Sequence, residues 1–123
     1  MEEIQERVRR LNSPWGAVCL DTGQVNILRE SPALAARKLG KHLKLLHVHD
    51  NYAVNDDHQV CGYGNIDWDA FVEALKEIGY DGEFSSEATS ACHLLPAAAA
   101  ETAVKLQADV MRDLLTRHGI SCE

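Results

Sequence analysis

Three short apolar runs alternate with helical patterns along this chain, and this alternation limits the possible folds more than any other feature. The runs cover residues 16–20, 43–48 and 83–87, and a stretch with helical periodicity follows each of them. Short buried strands that alternate with helices indicate a parallel sheet with right-handed crossover connections. The sequence therefore predicts an α/β fold with the element order α-β-α-β-α-β-α.

Apolar periodicity and helix-end signals predict four helices. Ser31 can cap a helix that has Pro32 at its first position, and glycines follow three of the four helical patterns. The predicted helices cover residues 2–11, Pro32 to Leu39, the stretch from Asp67 to Gly79, and the stretch from Pro96 to Gly119. A long irregular segment, residues 50–65, precedes the third helix, and loops of this length are usually functional or mobile.

A residue that can bind a metal ion stands at the carboxyl end of each apolar run: Asp21, His47 and Glu87. Because the carboxyl ends of parallel strands meet at one edge of a sheet, we expect these side chains to converge. An Asp, a His and a Glu together suit a divalent cation. Each also has a structural alternative, since Asp21 can cap the next turn and His47 can be a core histidine bonded to a carbonyl.

Composition and length exclude several classes of protein. A chain of 123 residues predicts one domain, well short of the roughly 250 residues of a complete (β/α)8 barrel. No apolar run reaches the roughly 18 residues of a membrane span, and the N-terminus has no signal-peptide pattern, so we expect a cytoplasmic protein with no membrane partner. The net charge of −7 and the scattered Lys and Arg residues argue against a nucleic-acid partner. The four cysteines form no C-x-x-C pair, and Cys19 is expected in the core.

Four stretches of the chain resemble the sugar-phosphate isomerase/epimerase superfamily, which has the xylose isomerase-like barrel fold. They are residues 20–24, residues 47–51, residues 56–58 with 62–68, and residues 79–87. The resemblance implies that residues 1–123 form a single domain similar to the last three β/α units of such a barrel. The expected fold is therefore a partial (β/α) barrel with about three parallel strands and four helices, completed or covered by self-association.

The resemblance also implies a metal site and a substrate class. Asp21, His47 and Glu87 would hold a divalent cation (Mn, Mg, Co or Zn), and Glu87 would also act as the catalytic carboxylate that moves a proton. His47 fits the H-x-x-D-N pattern of the superfamily better than His49 does. The implied substrate is a sugar or cyclitol with a carbonyl beside a hydroxyl group.

Four further positions complete the set of candidate site residues. Gln24 stands where the superfamily usually has a histidine, and with His49 it is expected to contact substrate hydroxyls. Asp56 and His58 match a D-x-H pair that binds an additional metal ion in some members, although a solvated loop is an equally good interpretation of these two residues.

Three functions remain open from the sequence. The first is a metal-dependent sugar or sugar-phosphate isomerase or epimerase, and the second is a non-catalytic truncated barrel that oligomerises and only binds metal. The third, an abasic-site endonuclease, is disfavoured by the acidic charge and by Gln24. The resemblance puts the first five strands and one Glu ligand of the superfamily outside this chain. Three parallel strands leave two sheet edges and one face uncovered, which predicts a homodimer or larger assembly.

Overall fold

The structure is a computed structural model that describes residues 2–13 and 16–121. Its strands are β1 (Val18–Asp21), β2 (Leu43–Val48) and β3 (Glu83–Ser86). Its helices are α1 (Glu2–Leu11), α2 (Thr22–Ile27), α3 (Pro32–Leu39), α4 (Trp68–Glu77), α5 (Ser90–His93) and α6 (Ala100–Arg117). Two short 3-10 turns, Gly40–His42 and Ala97–Ala99, precede β2 and α6.

The three strands form one parallel sheet in the order β1-β2-β3, which is also their order along the chain. Asp21 pairs with His47, and His47 pairs with Ser85, so the carboxyl ends of the strands are aligned. Each crossover therefore moves one strand in the same direction across the sheet, as in a barrel. This arrangement confirms the predicted α/β fold and the partial barrel with three parallel strands.

The core lies between one face of the sheet and helices α3 and α4. Leu20, Leu46 and Val48 point to this side and are buried with the apolar stripes of the two helices. The opposite face carries Cys19, which is exposed, and Leu45, which is half-buried. The prediction that Cys19 belongs to the core was wrong, because no element of the described chain covers this second face.

Two helices were not predicted, and several element boundaries differ. Helix α2 follows β1 without a loop, because the side chain of Asp21 accepts a hydrogen bond from the backbone N–H of Gln24 and so caps the helix. With six residues, one of them Gly23, α2 is too short to show a periodicity, and the four-residue α5 is shorter still. Strand β1 covers Val18–Asp21 instead of residues 16–20, β3 ends at residue 86 instead of 87, and α6 begins at Ala100 after a 3-10 turn.

The long segment between β2 and α4 is anchored at its start by a buried carboxylate. Asp50 is fully buried and pairs with Gln59 in an isolated antiparallel bridge. Its carboxylate accepts hydrogen bonds from four donors, the amides of Asn51, Gly62 and Ile66 and the indole Nε1 of Trp68. Four charge-assisted hydrogen bonds compensate the cost of burying this charge and hold the segment against the strand ends.

No helix in residues 2–13 and 16–121 combines the length and the apolar character that a transmembrane span requires.

Candidate metal centre

The side chains of Asp21, His47 and Glu87 come together at the carboxyl edge of the sheet. One ligand atom from each of the three lies within 4.8 Å of the others, and Nδ1 of His47 is 3.0 Å from Oε1 of Glu87. Asp21 ends β1, His47 lies in β2, and Glu87 follows β3, where its amide donates to the carbonyl of Val48. The parallel register therefore brings these residues together.

Asp21 is held in place by two hydrogen bonds to the same oxygen. Its Oδ1 accepts a hydrogen bond from the backbone N–H of Gln24 at 2.9 Å and lies 3.0 Å from Nε2 of His49. Burial raises the pKa of Asp21, but the hydrogen bonds from His49 and the Gln24 amide outweigh it, so the pKa is lowered overall. Asp21 thus serves as the cap of α2 and is also one of the three clustered side chains.

The side chain of His49 is fully buried, and its ring contacts the Asp21 carboxylate. Its backbone N–H donates to Oγ1 of Thr22 at 3.1 Å, and the same hydroxyl donates to the His49 carbonyl at 2.8 Å. Burial lowers the pKa of His49, but the hydrogen bond to the Asp21 carboxylate and the negative charges of Asp21, Asp56 and Glu87 together outweigh burial, so the pKa is raised overall. A histidine in this position fixes the orientation of the carboxylate it touches.

Asp56 and His58 reach the same cluster from the long segment after β2. The side-chain amide of Gln24 donates to Oδ2 of Asp56 at 2.6 Å, and Nε2 of His58 is 3.3 Å from the same oxygen. The imidazole of His58 stacks on that of His49, with ring centroids 3.9 Å apart and planes at 9°. His49, His58 and Glu87 form a second group whose ligand atoms lie within 4.8 Å of one another.

All seven candidate residues from the sequence therefore lie in one connected cluster. It contains three carboxylates (Asp21, Asp56, Glu87), three imidazoles (His47, His49, His58) and the amide of Gln24. The exposed fractions of its six ionisable side chains range from 0% for His49 to 39% for Asp56, so the cluster is partly open to solvent.

The donor set fits a divalent cation. Carboxylate oxygens and imidazole nitrogens are ligands for Mn, Co and Zn. The 3.0 Å separation between His47 Nδ1 and Glu87 Oε1 is that of a direct hydrogen bond, and it leaves both atoms close enough to bind the same ion. A cation would also offset the negative charges of the neighbouring Asp21 and Glu87 carboxylates.

No role was predicted from the sequence for the residues that hold this cluster in place. Thr22 and Gly23 fix His49, Asn51 is fully buried and donates to the Gly23 carbonyl, and Ser90 contacts the backbone of His58. The pair Asp50-Asn51, directly after His49, was visible as a polar dipeptide at a strand end. Ser90 carried no comparable signal.

The chain belongs to the xylose isomerase-like TIM barrel family, whose family model matches residues 1–114. It is 37% identical over 89 residues to the uncharacterized protein MJ1311 of Methanocaldococcus jannaschii, a match that covers 70% of this chain and 30% of that protein. It is 29% identical over 89 residues to a mannonate dehydratase of Oceanobacillus iheyensis, which covers 66% of this chain and 25% of the dehydratase.

A solved structure of a D-tagatose 3-epimerase-like protein has the same fold over most of this chain. The TM-score is 0.54 with 27% identity, and the match covers 79% of this chain and 36% of the solved one. The chain thus spans about a third or less of the proteins to which it is similar. These comparisons confirm the predicted superfamily.

Proposed function

We propose that this chain forms the cation-binding part of a metal-dependent sugar isomerase or epimerase. The proposal rests on the convergence of Asp21, His47 and Glu87, whose ligand atoms lie within 4.8 Å of one another at the carboxyl edge of the sheet. In (β/α) barrels this edge carries the active site. Family membership supports the same interpretation.

The roles of the residues follow from their contacts. A divalent cation, when bound, polarises a carbonyl and an adjacent hydroxyl and so acidifies the C–H bond between them. Asp21, His47 and Glu87 would hold that cation, and the Glu87 carboxylate is the proposed group for moving the proton. Gln24 and Asp56 lie at the open side, where a substrate hydroxyl can reach them. His49 is fully buried, so it would act by orienting Asp21 instead of touching the substrate.

The proposed substrate class is a sugar or a sugar acid with a hydroxy-carbonyl unit. A mannonate dehydratase and a D-tagatose 3-epimerase-like protein are among the similar proteins, and the names of both refer to sugar chemistry.

Metal analysis of purified protein tests the cation site. Protein that has been stripped with chelator is titrated with Co2+ or Mn2+, and bound metal is measured by mass spectrometry and by calorimetry. We expect about one ion per chain. Loss of a residue that only orients a ligand typically weakens metal binding 10–100-fold, so D21A, H47A and E87A should each weaken it at least that much.

Two matched variants at the opposite end of the sheet serve as controls. His42 precedes β2, and Asp81 pairs with Lys44 at 3.0 Å near the amino ends of the strands. H42A and D81A should bind metal as the wild type does. Unchanged binding in D21A, H47A and E87A would overturn the proposal.

The second candidate function is a non-catalytic protein that binds metal and assembles with other copies. The uncovered sheet face, with exposed Cys19 and half-buried Leu45, favours an assembly, and we propose a homodimer or larger oligomer. An assay of C–H exchange in D2O, with the metal-loaded protein and a panel of ketoses, separates the two functions. Exchange at the carbon beside the carbonyl supports the enzyme, while metal binding without exchange supports the second function.

A further inference from the structure

Two adjacent serines at the end of β3 face opposite sides of the sheet. Ser85 pairs with His47 of β2, and Ser86 pairs with Val48. Side chains alternate between the two faces along a strand, and residues that pair across neighbouring strands share a face. Ser85 therefore lies on the uncovered face together with His47, whereas Ser86 lies on the face that packs against the helices, where Val48 is buried.

The hydroxyls of the two serines differ in their hydrogen bonds. Oγ of Ser86 donates to Oε1 of Gln107 on α6 at 2.8 Å, which agrees with its position on the helix side of the sheet. Ser85 is exposed, and within residues 2–13 and 16–121 its hydroxyl makes no hydrogen bond. Because a hydroxyl can donate one hydrogen bond and accept two, Ser85 can bind a hydroxyl group of a ligand from the uncovered face.

Ser85 stands beside the proposed cation ligands. Neighbouring strands are about 4.8 Å apart, and residues two positions apart along a strand are separated by about 6.6 Å. The backbone of Ser85 therefore lies at about these distances from His47 and from Glu87, whose ligand atoms are themselves 3.0 Å apart. Leu45, the apolar residue of the same face, lies two positions nearer the amino end of β2. Ser85 is thus at the level of the cation ligands and above the apolar part of this face.

The strand that carries Ser85 is also open at its edge. β3 pairs with β2 on one side and with no strand of the described chain on the other. A ligand can therefore approach the Ser85 hydroxyl from the uncovered face and from the free edge of the sheet.

A hydroxyl in this place suits the remainder of a sugar whose carbonyl end is on the cation. A ketose that binds the cation through its carbonyl and the adjacent hydroxyl carries further hydroxyls on the next carbons. A protein group that binds one of them must lie next to the ligands, be reachable from solvent and form hydrogen bonds. Ser85 meets these three conditions, and serine is not among the usual ligands of such a cation.

We propose that the Ser85 hydroxyl binds a substrate hydroxyl beside the two oxygens that the cation holds, and that it thereby favours polyhydroxylated ketones over simple hydroxyketones. This inference rests on the proposed function, and it adds the residue that recognises the substrate beyond the reacting carbons. Ser85 is a binding residue in this role and moves no proton.

The test measures binding instead of turnover and uses two open-chain ketones. Erythrulose has a hydroxymethyl ketone unit and further hydroxyls, whereas hydroxyacetone has the hydroxymethyl ketone unit alone. Each is titrated into Co2+-loaded protein, and binding is followed by calorimetry and by the visible absorption of the ion. The variants are S85A and, as the matched control, S86A, which removes the same atom from the adjacent residue on the opposite face.

We expect S85A to bind Co2+ and hydroxyacetone as the wild type does, and to bind erythrulose about 2–10-fold more weakly, the range for one neutral hydrogen bond. S86A should keep the wild-type ratio of the two ketone affinities. Because Ser85 is exposed, S85A should also unfold at the same urea concentration as the wild type, which excludes a loss of structure as the cause.

An S85A variant with the wild-type ratio of the two affinities would overturn the inference and leave the proposed function intact. Weaker Co2+ binding by S85A would also overturn it, because Ser85 would then support the cation ligands instead of the substrate. A selective loss of erythrulose affinity in S85A, without C–H exchange in D2O by the wild type, would support the inference and contradict the isomerase function. A wild type that binds no Co2+ would overturn the proposed function together with this inference.

Discussion

At the scale of single residues, the candidate site depends on a glycine at position 23, where a larger residue would overlap the ring of His49. A Cβ at Gly23 would lie 1.9 Å from Cε1 and 2.4 Å from Nδ1 of His49. The ring of His49 is fully buried and also stacks on His58, so it cannot move aside without disturbing that contact. Gly23 is therefore required by the close approach of the imidazole, although its own backbone is helical.

The variant G23A tests this requirement. Overpacking of a buried site costs about 1–3 kcal/mol, so G23A should lower the free energy of unfolding by that amount in urea denaturation. It should also weaken cation binding, because His49 can no longer hold Asp21. G16A is the matched control, since a Cβ at Gly16 would meet its nearest neighbour at 3.4 Å, an ordinary contact. Equal stability of the two variants would contradict the argument.

The residues that can bind a cation could be predicted from the sequence, whereas the contacts that hold those residues in place could not. Asp21, His47 and Glu87 could be found because each ends an apolar run, and strand ends converge in a parallel sheet. The contacts that orient them join residues far apart along the chain, such as Gln24 to Asp56 and Ser90 to His58. No periodicity or local motif encodes such pairs, so only the folded structure shows them.

At the scale of elements, local chemistry predicted the longer helices well. Ser31 caps α3 through the Leu34 amide, and Asp67 caps α4 through the Ala70 amide at 3.0 Å, as the residue types indicate. Helices α2 and α5 were missed because neither is long enough for an apolar stripe. Their positions are set by the strand ends and by the cluster, which are tertiary features.

The end of α6 is joined to α4 by His118, which caps α6 and contacts two carboxylates of α4. Nδ1 of His118 is 2.7 Å from Oε1 of Glu73, and Nε2 is 2.9 Å from Oδ1 of Asp69. A neutral imidazole has one N–H, so both hydrogen bonds to carboxylates require the protonated ring. The hydrogen bonds to Asp69 and Glu73 raise the pKa of His118 above its ordinary value of 6.5.

This contact predicts a pH-dependent stability. Because the pKa is raised in the folded protein, the stabilisation is fully present below about pH 6.5 and is lost as the pH rises through the folded-state pKa. In urea denaturation from pH 5.5 to 9, the wild type should exceed H118Q in stability at the acidic end, and the difference should disappear at the alkaline end. Lys76 and Arg117 also face these carboxylates, with Lys76 3.6 Å from Glu73 and Arg117 3.4 Å from Asp69.

The variant H42Q is the control for this prediction, since His42 lies in a 3-10 turn at the other end of the sheet. Its stability relative to the wild type should not follow the same pH profile. A constant difference between H118Q and the wild type from pH 5.5 to 9 would show that His118 contributes by packing and not by charge.

At the scale of the whole molecule, the chain exposes more surface than a globular protein of its size. Its accessible surface is 7582 Å2, whereas a monomer of 13.6 kDa is expected to expose about 6,600 Å2. The excess of about 1,000 Å2 is close to the roughly 800 Å2 that each partner contributes to a standard interface. The sheet face with Cys19 and Leu45 accounts for part of it.

The proposed self-association can be tested on this face. L45E places a charge in the middle of the uncovered sheet and should shift a dimer toward monomer, as measured by light scattering or sedimentation. L34E is the matched control, because Leu34 is an exposed leucine on α3, on the other side of the molecule. A wild type that is monomeric at high micromolar concentration would contradict the proposal, as would an L45E variant that dimerises like the wild type.

Glu87 contributes to the cluster in more than one way, and this has an evolutionary consequence. Its carboxylate belongs to both groups of ligand atoms, and its carbonyl holds the ring of His58. Replacement of the side chain would disable both groups in one step while leaving the carbonyl in place. Later changes at His47 or His58 would then cost little, whereas the same changes made first would be costly. Substitutions in this cluster should therefore be strongly epistatic, and the order in which a lineage accepts them should begin at Glu87.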